Sequence, residues 1–550
     1  MPEEMKVAGY SSIYFRLISP DKPDRCWLAL ILILGAGLSL RLPNLNESLW
    51  NDEIWSTRVL IGNLSALIHT TIDDRHPPFY QAFMFAWIRM FGDSELSVRI
   101  PAFLCGILAV LLVHEFASRL VERKTALLAS FLLAVSPAHI WYSQEARSYS
   151  LLLSFLLLSL IAYLKLKEPA PHWIWFPLYF GSLFSCALTH YYLAVYVVLI
   201  SAICLLERHR RKRFILAINF LILVCLAAWV IAILVRTGAP IGGGYLGAFS
   251  FRALWRLFFT WFLFGDAWGA EWRHWQMFSA QIFFLVIFVY GLALALLRKK
   301  ANENTRYLPL YLFAIPAFLL VASRFGFRGY IERSVLVALP FFYIVIAKGV
   351  IGIADFSESI RQRSFGRTFV KSLAGACIVA IILLSAFTLK EYFRRDEEWT
   401  VYKPNPDWRS AAHYLENGIN ASSDRASNRS FGPPAVFATV PPLELTYYNA
   451  RFINIWLGLV EGQDVLTGEE ARAHWEIYSI GPAYLKDFEK FHDALSRTGA
   501  QAFYLIHNKY WSGEFDRVFN HLKNDPRVQY QTMQSFKGIE IHEFKIAPRA

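Results

Sequence analysis

"CWLALILILGAGLSLRLPNLNESLWNDEIWSTR", Cys26–Arg58, is the stretch on which the fold turns. No charge interrupts it from Cys26 to Leu40, and an apolar run of that kind crosses hydrocarbon as a helix. Directly after it, Asp52 and Glu53 stand side by side between Trp50 and Trp55, with Ile54, Val59 and Leu60 making the stretch amphipathic. Such a segment reads as a short helix at the membrane interface, holding two carboxylates at a fixed depth.

The apolar signature recurs along the chain. Of its 550 residues, 55% are hydrophobic and 16% aromatic, and the mean hydropathy is +0.34. A soluble chain of this length divides into several cores and is more polar. Eleven apolar blocks have roughly the length of a membrane helix: 27–45, 97–118, 125–141, 148–166, 173–189, 191–206, 214–235, 277–297, 307–323, 331–354 and 372–390. The blocks at 173–189 and 191–206 adjoin with no charge between them. Residues 1–26 do not resemble a cleaved signal, because the apolar block that follows is too long and no small-residue cleavage site closes it.

Charge placement orients the blocks. With the N-terminus in the cytoplasm, every second connector is basic: Arg119, Arg123 and Lys124; Lys165 and Lys167; "ERHRRKRF" from Glu207; "RKKANENTR" from Arg298; then Arg361, Arg363, Arg367 and Lys371. This is the positive-inside pattern. It accounts for much of the net charge of +12 without nucleic acid as a partner, and it predicts contact of loop 208–213 with anionic membrane lipids. The six cysteines lie in or beside apolar blocks, so neither a disulfide framework nor a thiolate metal site is expected.

From about residue 391 the composition becomes that of a soluble α/β unit. "DWRSAAHYLENG" has helical spacing with Asp407 as N-cap and Gly418 as stop. "AVFATV" and "AQAFYLIHN" read as strands, "LKDFEKFHDALSRTG" and "EFDRVFNHLKND" as helices, and "VQYQTMQSFKGIEIHEFKI" as a hairpin turning at Lys537-Gly538. The expected architecture is therefore an α-helical polytopic membrane protein with about eleven transmembrane helices and a soluble C-terminal α/β domain. Residues 1–390 make the membrane domain, with outer loops 46–96 and 236–276, and residues 391–550 make a small three-layer domain on the outer side.

Candidate functional residues fall on the predicted outer connectors. Asp52 and Glu53 are either solvated acids or carboxylates held near apolar surface, where one can act as general base on a hydroxyl. His76 precedes a Pro-Pro turn, and His190 ends a crossing in "THYY"; each is a hydrogen-bonding residue or part of a site. Arg99 at the start of the second crossing reads as an interfacial anchor. Gln144, Glu145, Arg147 and Tyr149 cluster at one short turn. Arg324, Arg328 and Arg333 run against the positive-inside trend, which suits a headgroup anchor or an anion site for a phosphate. "PIGGGY", residues 240–245, lacks the Lys-Ser/Thr of a phosphate loop and reads as plain loop.

In chain order these features are the acidic pair, HPP, "FGDSELSVRIP", "WYSQEARSYSLL", "THYYLA" and an arginine shortly before "ALP". The set resembles the bacterial family 39-type glycosyltransferases of the GT-C superfamily, related to protein O-mannosyltransferases and lipid A aminoarabinose transferases. The resemblance covers about residues 25 to 350, and "NPDWRSAAHYL" continues it. It implies a bacterial inner-membrane enzyme that moves a sugar from a polyprenyl-phosphate donor to a lipid, glycan or protein acceptor on the outer face. Asp52 would be the catalytic base with Glu53 in support. Arg333 matches the family's arginine for the donor phosphate, and Glu145 and Arg147 match its second outer turn in the substrate site. Arg328 and Arg324, on the same loop without that match, are further phosphate-binding candidates, and His76, Tyr149 and His190 further substrate-binding ones. Two positions depart from the family pattern: Ser334 stands where a tyrosine is usual, and Ser148 where a methionine is usual. No metal-ligand spacing is visible, although an acidic pair can hold a divalent ion. The rival reading is a transporter or flippase of a lipid-linked saccharide. That function favours charges at mid-membrane depth and related halves, and neither is seen.

Overall fold

The computed structural model describes residues 25–58, 64–73, 75–238, 247–265, 274–297, 303–359, 364–394, 405–426, 435–438, 452–457, 475–480, 492, 495, 501–509 and 515–547. Residues 59–60, the 240–245 loop and most of the helix expected over 485–499 lie outside that set.

Each apolar block coincides with helix. The helices are α1 (Arg25–Arg41), α2 (Asn51–Arg58), α3 (Leu64–Asp73), α4 (Phe79–Phe91), α5 (Glu95–Ser118), α6 (Arg123–Ala134), α7 (Pro137–Ser143), α8 (Tyr149–Lys167), α9 (Trp175–Ala187), α10 (Leu193–Leu206) and α11 (Lys212–Thr237). They continue with α12 (Phe251–Arg256), α13 (Phe262–Phe264), α14 (His274–Leu297), α15 (Leu308–Arg324), α16 (Leu339–Ser359) and α17 (Ser364–Arg394). Among the described residues seven helical segments are long and apolar enough to cross a membrane, and α6 with α7, bent by 62° at a short break, make an eighth if counted as one span. The sequence reading of eleven differs because α1, α9 and α10 are apolar but span only 17, 13 and 14 of the described residues.

Burial sorts the bundle into centre and rim. The spans containing α8 and α16 have 83% and 89% of their apolar windows buried, whereas α11 and α17 have 22%. With no water in hydrocarbon to gather apolar faces, close backbone approach must bind helices together. Gly291 of α14 and Gly349 of α16 supply it: a Cβ on either would collide with the backbone of the facing helix, at Val345 and Ile287. A buried arginine ties further elements. Arg41 donates to the Gly37 and Ala134 carbonyls at 2.8 and 2.9 Å and lies 2.7 Å from His139 Nδ1. Next to it, Gln144 donates to the Arg41 carbonyl at 3.1 Å and accepts from the Tyr392 hydroxyl at 2.8 Å, joining α17 to the α7–α8 turn.

The C-terminal sheet is six-stranded and mixed, in the order β2-β3-β1-β4-β6-β5. Its strands are β1 (Ala435–Ala438), β2 (Phe452–Leu457), β3 (Trp475–Ile480), β4 (Ala502–Asn508), β5 (Val528–Phe536) and β6 (Ile539–Ile546). β1 to β4 pair in parallel, and β6 is antiparallel to both β4 and β5. The hairpin turns where expected, with Gly538 at φ 72°. α18 (Trp408–Ala426) packs Trp408, Ala411, Ala412 and Leu415 against Tyr504, Ile506, Ile539 and Ile541. α19 (Phe515–Asn524) packs Phe519 against His542 and Phe544, on the other face by strand alternation. Asp407 caps α18 as expected, accepting from Ser410 N–H at 3.1 Å. Gly418 does not stop it: the helix runs on to Ala426, and a Cβ at Gly418 would meet the Tyr504 hydroxyl at 2.5 Å. The glycine is there for close packing on β4.

Candidate active site

α2 turns the acidic motif into two different environments. Adjacent residues on a helix are about 100° apart around its axis, so the two carboxylates face different partners. Glu53 is fully buried and points inward. It accepts from Arg99 Nε and Nη2 at 2.8 and 2.6 Å, from Ala146 N–H at 2.8 Å, from Trp50 N–H at 3.3 Å and from Asn405 Nδ2 at 3.3 Å. Arg99 sends its remaining donors to the carbonyls of Leu45, Glu47 and Ser48, at 3.0, 2.5 and 3.2 Å. This arginine, read from the sequence as an interfacial anchor, is instead 1% exposed and paired inside the protein. Its partner lies 46 residues away in sequence, where helical spacing gives no signal.

Asp52 keeps 24% of its side chain exposed and lies 2.9 Å from Arg333 Nη1. Arg333 is the second residue of the short 3-10 turn Glu332–Ala338 that leads into α16. Arg147 approaches the same Asp52 oxygen at 4.0 Å and is fixed by its bonds to the Asp52 carbonyl at 2.9 Å and the Ser56 hydroxyl at 2.8 Å. The Tyr149 ring lies under its guanidinium at 5.9 Å. Three connectors far apart in sequence thus meet around one partly open carboxylate.

Glu145 sits behind them, 4% exposed, and neither of its oxygens accepts a hydrogen bond. Burial first, then the charges of Glu53 and Asp52, push its carboxyl up to about 8, against the opposing pull of Arg333 and Arg147. At neutral pH it is therefore a neutral acid, and two guanidiniums face the single charge of Asp52.

The two histidines come from turns that pack together. Phe79 N–H bonds the Leu188 carbonyl at 2.8 Å, and the Tyr191 hydroxyl bonds the Arg75 carbonyl at 2.9 Å. The His76–Pro77–Pro78 turn is thereby held beside His190. Burial, and then the nearby His76 and Arg147, push the His190 imidazole below its usual range, which keeps it neutral. The structure thus brings Asp52, Glu53, Arg333, Glu145, Arg147, Tyr149, His76 and His190 into one neighbourhood. Arg324 and Arg328 do not join these contacts: Arg324 ends α15 and Arg328 lies on the loop before Arg333, both exposed, and neither forms an ion pair among the described residues.

The start of α18 closes one side of this neighbourhood. Asn405 donates to the Ser48 carbonyl at 2.9 Å as well as to Glu53, and Arg409 Nε reaches Glu95 at 2.8 Å. Lys537, at the hairpin turn, pairs with Glu47 at 2.8 Å. Sequence reasoning missed this clamp, since it showed Asp407 only as a cap. The available signal was acids on one side, Glu47 and Glu95, matched by Arg409 and Lys537 on the other.

Comparison with known proteins bears on the fold and the family resemblance. Residues 75–235 match the family described as dolichyl-phosphate-mannose-protein mannosyltransferase. No curated protein matches the chain. Among solved structures, ArnT from Cupriavidus metallidurans in the apo state aligns over 94% of this chain and 97% of its own, at 12% identity with a TM-score of 0.51. The same ArnT bound to undecaprenyl phosphate aligns over equal shares at a TM-score of 0.48. The Archaeoglobus fulgidus oligosaccharyltransferase aligns over 90% of this chain and 71% of its own, at 14% identity and 0.47. The chain therefore shares the ArnT fold, and the GT-C resemblance read from its motifs is borne out.

Proposed function

We propose that this protein transfers a sugar from a polyprenyl-phosphate donor to an acceptor hydroxyl at the outer face of a bacterial inner membrane. The observation that carries the reading is the contact of Asp52 with Arg333 and Arg147, a partly open carboxylate beside a surplus of guanidinium charge. The family matched over residues 75–235 is described by a lipid-phosphate sugar donor, which supports the same donor class here.

The chemistry follows from the groups present. In a single displacement the acceptor oxygen forms a bond to the anomeric carbon while the bond from that carbon to the phosphate oxygen breaks. The configuration at the anomeric carbon inverts. The departing polyprenyl phosphate gains negative charge, which Arg333 and Arg147 are placed to stabilise. Asp52 takes the hydroxyl proton as the new bond forms. Because Arg333 also pairs with Asp52, a phosphate that reaches Arg333 competes for the guanidinium. That competition frees the Asp52 carboxylate from its ion pair once the donor is seated. Glu53, locked to Arg99, supports α2 and holds Asp52 in place. Glu145, neutral at physiological pH, serves as a hydrogen-bond donor to a sugar or phosphate oxygen. His76, His190 and Tyr149 line the rest of the site. Residues 391–550 form the outer domain, which covers this site through Asn405 and Arg409.

The test is transfer of labelled sugar by purified protein in nanodiscs, from a polyprenyl-phosphate sugar and, in parallel, from a nucleotide sugar. Label must leave the lipid donor only. Transfer from the nucleotide sugar alone, or movement of the intact lipid-linked sugar across the bilayer without cleavage, would replace this reading.

A further inference from the structure

We propose that His507, Glu540 and His542 form a zinc site on the C-terminal sheet, separate from the proposed transfer chemistry. In the antiparallel β4–β6 register His507 lies opposite Glu540, and His542 follows two residues along β6 on the same face. Glu540 Oε2 is 3.2 Å from His507 Nδ1 and 3.5 Å from His542 Nε2. Tetrahedral zinc with bonds of about 2.0 to 2.1 Å sets its ligand atoms about 3.3 to 3.4 Å apart. These two separations bracket that value, and the three ligand atoms all lie within 4.8 Å of one another.

A second observation points to a ligand. His542 is only 5% exposed, and its Nε2 meets Glu540 Oε2 at 3.5 Å without good hydrogen-bond geometry, so this buried nitrogen is poorly satisfied. A buried polar atom left unpaired is costly, and a metal ion bound there removes that cost. The surroundings are those of a supported site. His542 Nδ1 faces the Tyr530 hydroxyl at 3.5 Å, the outer contact that fixes a ligating imidazole. Phe515 stacks on His507 at 3.8 Å and Phe519 lies 4.7 Å from His542, holding both rings. Lys509 holds the other oxygen of Glu540 at 3.1 Å, leaving Oε2 to the imidazoles. Two nitrogens and one carboxylate oxygen suit zinc better than magnesium or calcium. Partial exposure of His507 and Glu540 leaves room for water as a fourth ligand. The neighbouring group of His492, His521 and Asp525 is a poorer candidate, because Arg527 already reaches both oxygens of Asp525 at 3.0 and 2.8 Å.

The test uses full-length protein in nanodiscs, stripped by chelation and titrated with zinc against a chromophoric chelator. One equivalent should bind, and zinc should raise the melting temperature of the wild-type protein. His507→Gln and Glu540→Gln should each weaken binding by about ten-fold or more, since even outer-shell losses reach that size. His492→Gln should leave binding unchanged. Cobalt should give the visible absorption of a tetrahedral site in the wild-type protein. The proposal is overturned if the wild-type protein takes up no stoichiometric zinc, if both β-strand variants bind as wild type does, or if binding is lost with His492→Gln.

Discussion

Removing both members of the Glu53–Arg99 pair should cost the protein less than the sum of removing each alone. The two side chains are 0% and 1% exposed and meet at 2.6 and 2.8 Å. Arg99→Met leaves a buried carboxylate with no opposing charge, and Glu53→Gln leaves a buried guanidinium in the same position. Breaking a buried pair from one side costs about 3 to 5 kcal/mol. Glu53→Gln also places an amide where Ala146 N–H and Asn405 need an acceptor. In the double variant Glu53→Gln/Arg99→Met no uncompensated charge remains. Contacting residues show coupling of about 0.5 to 3 kcal/mol, so its loss should fall short of the sum by that amount. The carbonyls of Leu45, Glu47 and Ser48 still lose their donor, which keeps the double variant below wild type. Thermal unfolding in detergent, followed by tryptophan fluorescence, ranks the four proteins. Strictly additive losses would mean that the pair is not a unit, and the account of how α2 is fixed would fail with it.

Three further outcomes test the surroundings. Because the folded-state pKa of Glu145 is raised to about 8, its contribution to stability is complete below the ordinary carboxylate range and is lost as pH rises through about 8; Glu145→Gln should abolish that decline in melting scans from pH 5 to 9, and an unchanged slope would contradict the burial argument. Arg333→Lys keeps the charge but loses the two-pronged donor geometry, and Arg333→Ala loses both, so donor affinity should fall in the order Arg, Lys, Ala. The alanine step should reach about one to two orders of magnitude, while Arg324→Ala and Arg328→Ala change little; equal small effects at all three would leave only a diffuse basic surface. Cysteines placed in loop 208–213 should resist an impermeant thiol reagent in intact cells and one near residue 424 should react, the reverse pattern inverting the orientation.

The helices were legible because hydrocarbon demands long apolar runs, and each of those runs is helix. How many of them cross was not, since composition alone does not reveal that α9 and α10 stop at 13 and 14 residues. The acidic pair could be found by its position but not divided. Only the helix geometry of α2 sends Glu53 to Arg99 and Asp52 to Arg333. Contacts such as Asn405 to Glu53, 352 residues apart, leave no local pattern. The same holds for His507 and Glu540, brought together by strand register alone. Gly418 misled because glycine marks both helix ends and close packing, and here Tyr504 decides.

The central claim is that Asp52 removes the acceptor proton, and Asp52→Asn tests it with little change in shape. Single-turnover transfer from a labelled polyprenyl-phosphate sugar should be measured alongside donor binding, at matched amounts of folded protein in nanodiscs. Loss of a positioned general base costs about 10² to 10⁴ in rate. The account predicts a loss of that size in the transfer step, with donor binding kept or strengthened because Arg333 is released from its carboxylate partner. Transfer at near wild-type rate in Asp52→Asn would contradict it.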